Sequence, residues 1–101
     1  MKLFTKEIMD RLTKAGYNSS RPIVKLFTPW GAATWLVTGI EDGILYGYAD
    51  LGMQCVEWGG LFTVDEIQSI TGPFGLKVER DLYFEDDPSV NYATLSSLVG
   101  I

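Results

Sequence analysis

Asp42-Gly43 constrains this chain more than any other pair of residues. It sits between two apolar runs, Ala33 to Ile40 and Ile44 to Leu51. An Asp-Gly pair so placed is the strongest short signal for a two-residue hairpin, because both turn residues must take φ > 0. Two antiparallel strands are therefore predicted, and an isolated hairpin is marginal in water, so further strands or a helix must cover it. The chain has 101 residues, 47% of them hydrophobic and 21% charged. That balance predicts one globular domain with one thin core and leaves no room for separate cofactor and substrate domains.

The remaining elements follow from local signals. Thr5 is placed to cap a helix over Lys6 to Ala15, with Phe4 stapled onto Met9, Ile8 and Leu12 facing inward, and Gly16 as the stop. Pro22 opens an apolar run from Ile23 to Thr28, and Pro29 and Gly31 turn the chain into Ala33. After Leu51, the loop Gly52 to Cys55 leads back into a strand over Val56 to Phe62. Thr63-Val64-Asp65-Glu66 then reads as a capping box, with Phe62 placed to staple onto Ile67, and it starts a helix that Gly72 and Pro73 stop. Leu76 to Phe84 alternates as a strand with Val78, Arg80, Leu82 and Phe84 on one face. Glu85-Asp86-Asp87-Pro88 reads as a turn and Ser89 to Leu98 as a weak helix. The predicted fold is α+β: a two-layer arrangement with an antiparallel meander sheet of about five strands and two or three short helices.

Composition excludes several chemistries. There is no histidine, so imidazole metal sites and histidine-based triads are out, and the lone Cys55 forms neither an internal disulfide nor a CxxC pair. Cys55 has no basic neighbour to lower its pKa, which argues against a nucleophile. No GxGxxG, Walker-type loop or GxSxG occurs, and Gly72-Pro73-Phe74-Gly75 lacks the lysine and helix cap of a phosphate site. No cofactor is expected. No apolar run approaches a membrane span, and Met1 to Thr13 alternates charged and apolar residues unlike a signal peptide, so no membrane association and a cytoplasmic location are expected.

Charge is uneven. The first 25 residues carry +4 and the remainder −9, for a net −5. An acidic chain is repelled on average by nucleic acid, so direct nucleic-acid binding is not expected. Glu7 with Arg11 and Asp10 with Lys14 sit four apart, acid first, as on the solvated face of a helix.

The words Val24-Lys25-Leu26-Phe27-Thr28-Pro29, Gly31-Ala32-Ala33-Thr34-Trp35-Leu36, Asp50-Leu51-Gly52, Glu57-Trp58-Gly59 and Val78-Glu79-Arg80-Asp81-Leu82-Tyr83-Phe84 occur in this order. Over about residues 3 to 90 the chain resembles a bacterial family, domain of unknown function 2958. The resemblance implies a small protein or module of plasmids, integrated elements and phages, often near DNA-processing genes, with no established activity to carry over. Members of this look have a longer segment between the second and third strands, where this chain has only Asp42-Gly43.

Two readings of function come from the residues. If Leu51 and Val56 close a hairpin, Asp50 and Glu57 are cross-strand neighbours, and like charges there call for a cation. Lys25, Arg80 or a divalent metal could serve. The favoured form is a structural charged network of Lys25, Asp50, Glu57, Glu79, Arg80 and Asp81 without metal, with Arg80 bridged to Asp50 or Glu57. Trp30, Trp35, Tyr46, Tyr48, Trp58, Phe62 and Phe74 include the residue types of a base-stacking surface, but their strand positions favour core packing. Trp30 is the exception, held in a Pro-Trp-Gly turn. The leading expectation is a protein-binding module, not an enzyme, with Trp30 as anchor and Asp86 and Asp87 on its rim. The alternative is a metal-dependent or carboxylate-based enzyme or accessory using Asp50, Glu57, Glu79 and Asp81.

Overall fold

The computed structural model describes residues 3–17, 19, 21–50, 57–82 and 84. Helix α1 spans Lys6–Ala15 and begins as its capping residue dictates: the Ile8 amide donates to the Thr5 hydroxyl at 3.2 Å. It ends at Gly16, whose φ of 64° suits a residue without a Cβ and whose N–H donates to the Leu12 carbonyl. Strands β1 (Val24–Phe27), β2 (Thr34–Glu41), β3 (Ile44–Asp50) and β4 (Glu57–Thr63) form an antiparallel meander. Helix α2 (Val64–Ser69) and a 3-10 turn (Pro73–Gly75) then carry the chain back to β5 (Glu79–Arg80), which pairs with β1. The sheet order is β4-β3-β2-β1-β5, every neighbour antiparallel. The fold is α+β as expected, with the fifth strand returned to the far edge.

One face of the sheet carries both helices. Val24 and Leu26 alternate on β1 and oppose Val37 and Trp35 on β2, and all four join Leu12 of α1, Leu45 of β3, Ile67 of α2 and Val78 in one buried cluster. Trp35 meets Phe62 edge-on, ring centroids 5.5 Å apart. Central strand β2 is buried continuously from Thr34 to Gly39, so it is covered on both faces, as the innermost strand of a five-stranded sheet should be.

The hairpin Asp42-Gly43 takes φ of 51° and 78°, the paired positive values of its turn type. The capping box at α2 is complete: Glu66 N–H donates to the Thr63 hydroxyl and Thr63 N–H to the Glu66 carboxylate. Two bulges flank β3, with Thr38 the extra residue on β2 and Leu61 the extra residue on β4. The Thr38 hydroxyl donates to the Tyr46 carbonyl at 3.2 Å, which stitches its bulge to the neighbouring strand.

Three expectations need correcting. The strand expected over Leu76 to Phe84 is reduced to Glu79–Arg80, because Lys77 bridges back to Thr71 and β1 offers only four residues to pair with. Leu82, expected on the inward face, is 61% exposed. The last strand of the hairpin pair is also displaced: Glu57 opposes Ala49, where closure through Leu51 and Val56 would have placed it opposite Asp50. The loop Gly52 to Cys55, the Glu85 to Pro88 turn and the tail Ser89 to Leu98 lie outside the described residues.

Candidate functional site

The one-residue displacement of β4 decides the fate of the charged network. Strand alternation sends successive side chains to opposite faces, so a slip of one exchanges the faces completely. Asp50 opposes Thr34, which opposes Phe27, which opposes Glu79, while Arg80 opposes Leu26 on the helix-bearing face. Asp50 and Arg80 therefore occupy opposite faces. Three strand spacings separate them, roughly 14 Å at the backbone. The Glu57 position lies one strand further from Arg80, in register with Ala49. The expected clamp from Arg80 to Asp50 or Glu57 is thus not the arrangement of this sheet.

What the sheet does bring together is Lys25, Glu79 and Asp81. The Asp81 amide donates to the Lys25 carbonyl at 2.9 Å, and Glu79 sits opposite Phe27 two residues along the same strand. Arg80 is half-buried, with its Nε out of contact with solvent, and lines a cleft between α1 and β5 with Glu7, Arg11 and Asp81. Asp50 is 4% exposed, at the end of β3 opposite Thr34, the first residue of β2. Among the described residues, no three His, Cys, Asp or Glu side chains converge as a metal site would require.

The aromatic residues divide as strand position dictates, with two exceptions. Trp35 and Tyr48 are buried and Phe62 packs on the core. Trp58 is 45% exposed, and its ring stacks on that of Tyr46 at 6.1 Å. Phe74 is fully exposed.

Trp30 and Phe74 occupy the same tripeptide pattern, Pro-aromatic-Gly, and meet opposite ends. The Trp30 turn is tied down by Thr28: Gly31 N–H donates to the Thr28 carbonyl, Thr28 N–H to the Ala33 carbonyl and Ala33 N–H to the Thr28 hydroxyl. Its indole lies half-buried against the core and directly over Gly72, where a Cβ would fall within 2.6 Å of the ring's Cε3. Trp30, expected as a partner anchor, is half-buried and forms the floor of the next turn.

That next turn is a miniature hairpin. Gly72 N–H donates to the Leu76 carbonyl at 2.7 Å, Leu76 N–H donates to the Pro73 carbonyl at 3.1 Å, and Thr71 bridges Lys77. The Lys77 ammonium closes the base by donating to the Thr71 hydroxyl at 2.6 Å. Phe74 and Gly75 at its tip have φ of 58° and 75°, the same paired positive values as Asp42-Gly43. Aspartate tolerates that conformation; an aromatic residue does so at a cost of about 1 to 2 kcal/mol. Phe74 buries nothing in return among the described residues, since its ring is fully in solvent, with the part-exposed Leu76 close by in sequence. Sequence reasoning weighed Phe74 as part of a base-stacking surface and favoured core packing for it, although Pro73 before it and Gly75 after it repeat the signal that singled out Trp30. Asp86 and Asp87, the expected rim, lie outside the described residues.

Among the described residues, no helix is long and apolar enough to cross a membrane. The profile of the family described as Protein of unknown function (DUF2958) matches residues 3–100. No curated protein and no solved structure matches the chain.

Proposed function

The chain belongs to the DUF2958 family of proteins of unknown function, and on that premise we propose that it is a protein-binding module whose apolar anchor is Phe74. One observation carries the reading: a phenylalanine ring stands wholly in solvent on a backbone conformation that disfavours it. Strain of this kind persists where the surroundings enforce it, and it concentrates at sites that engage something outside the chain. The turn is braced by two backbone hydrogen bonds, the Thr71–Lys77 bridge and the Trp30 indole. A braced aromatic tip loses little entropy on docking, so burial of the ring in a partner's pocket translates efficiently into affinity.

The partner is a protein with an apolar pocket and a basic surround, because the chain carries a net −5 and −9 beyond residue 25. A cytoplasmic module of a plasmid, phage or other mobile element, acting on DNA-processing or host-defence machinery, fits that chemistry, and the acidic surface would compete with nucleic acid for a basic channel. The carboxylate-based alternative has less support, since Asp50 lies three strands from Glu79 and Asp81. The test is photo-crosslinking in the native host with a benzoyl-phenylalanine at position 74 and, separately, at position 10 on the solvent face of α1. Both positions are exposed. A discrete protein adduct from position 74 and none from position 10 is the expected result. Identical adduct patterns from both, or none, would overturn it.

A further inference from the structure

At the other edge of the sheet from Phe74, strand β4 pairs, among the described residues, only with β3 and so presents a row of outward backbone groups. Its sequence, Glu57-Trp58-Gly59-Gly60-Leu61-Phe62-Thr63, holds no lysine and no proline, two of the residues that blunt such edges. Crowding requires neither glycine. Gly60 lies opposite Tyr46, where a Cβ would make only an ordinary contact with the ring at 3.5 Å. At Gly59 a Cβ meets nothing within 4 Å, and its φ is not in the left-handed range. Glycine in a strand interior weakens the strand and marks sites where another backbone comes close. Among the described residues, nothing comes within 4 Å of a Cβ at Gly59.

Trp58, on the opposite face of the strand from the Gly59 opening, is exposed and stacked on Tyr46 as an apolar ledge. The bulge at Leu61 limits regular pairing to Glu57 through Gly60. Acidic residues gather at the other end of the strand. Ile44 opposes Thr63, so the exposed Glu41 and Asp42 of the β2–β3 turn and the exposed Asp65 and Glu66 of α2 share one end of the sheet.

We propose that β4 is a strand-addition site for an extended, basic-flanked segment of a partner polypeptide. The segment pairs antiparallel along Glu57 to Gly60, continuing the sheet's own pattern. Its N-terminal half carries lysine or arginine toward the acidic end, and its C-terminal half seats an apolar residue on Trp58. Main-chain hydrogen bonds supply affinity and the two flanks set direction.

The test uses the full chain and synthetic ten-residue peptides, each with three basic residues followed by alternating valine and threonine around one phenylalanine. Reversed-order and alternately N-methylated versions serve as comparisons. The forward peptides should bind and slow amide hydrogen exchange in β4 at least tenfold. N-methylation should weaken binding at least tenfold, order reversal at least threefold, and Trp58→Ala at least fivefold. The N-methylated peptide changes only the ligand, so its result stands even if the variant folds poorly. Absence of binding by every forward peptide would overturn the proposal, as would equal binding of the N-methylated form. Slow exchange in β4 without peptide, in a concentration-dependent dimer, would also overturn it by giving the edge to a second copy.

Discussion

The indole of Trp30 lies against Gly72, so closely that no side chain fits between the turn at residues 28–33 and the hairpin at residues 71–77. One aromatic residue is thereby spent on positioning another. Trp30 braces the base of a turn whose tip holds Phe74 in solvent.

Gly72→Ala should therefore act on both turns at once. The added methyl group meets the indole and has no flexible chain end to displace. A loss of about 1 to 3 kcal/mol is expected, the usual range for overpacking, read from the denaturant midpoint at unchanged slope. A midpoint equal to the parent's would mean that the two turns do not touch.

Gly39 makes a second such contact, with a harder neighbour. A Cβ on it would overlap the Gly16 carbonyl and approach the Gly16 carbonyl carbon to 2.8 Å, so backbone, not a side chain, must give way. Gly39→Ala should cost about 3 kcal/mol, at the upper end for overpacking. Thermal melting checks it, with an unshifted transition as the contrary result.

The sheet register yields a test by double-mutant cycle. Asp50 and Arg80 lie on opposite faces, three strands apart. Asp50→Asn and Arg80→Met should each change stability, and the double variant should equal their sum within about 0.5 kcal/mol, as for sites more than about 10 Å apart. A coupling above about 1 kcal/mol would restore the clamp between them.

Thr63→Ala should cost about 1 kcal/mol through the lost cap of α2. Chemical denaturation is again the measurement. The cap is doubly bonded, so no effect would mean that α2 contributes nothing to the cooperative unit.

What could be read in the sequence was what short-range chemistry decides. The Thr5 and Thr63 caps, the Gly16 stop and the Asp42-Gly43 hairpin each depend on residues within about four positions, and each stands where its signal placed it. The register of β4 was not legible, because pairing Glu57 with Ala49 instead of Asp50 depends on the connection between the strands and on the bulge at Leu61. That single slip removed the reading of Asp50 and Glu57 as neighbours. β5 was overextended because its length is set by β1, a strand more than fifty residues earlier in the chain. Trp30 and Phe74 share one local signal, and only the tertiary meeting of Trp30 with Gly72 separates buttress from tip.

Phe74→Asn puts the central claim to its most direct test, because fold and function should respond in opposite directions. Asparagine tolerates φ near 58° and, with the ring already in solvent, no apolar burial is lost. The variant should gain about 1 kcal/mol, a rise in Tm of roughly 4 to 8 °C for a domain of this size, while its affinity for the protein crosslinked at position 74 falls at least tenfold. A variant that melts at or below the parent temperature, or binds that protein equally well, would contradict the account.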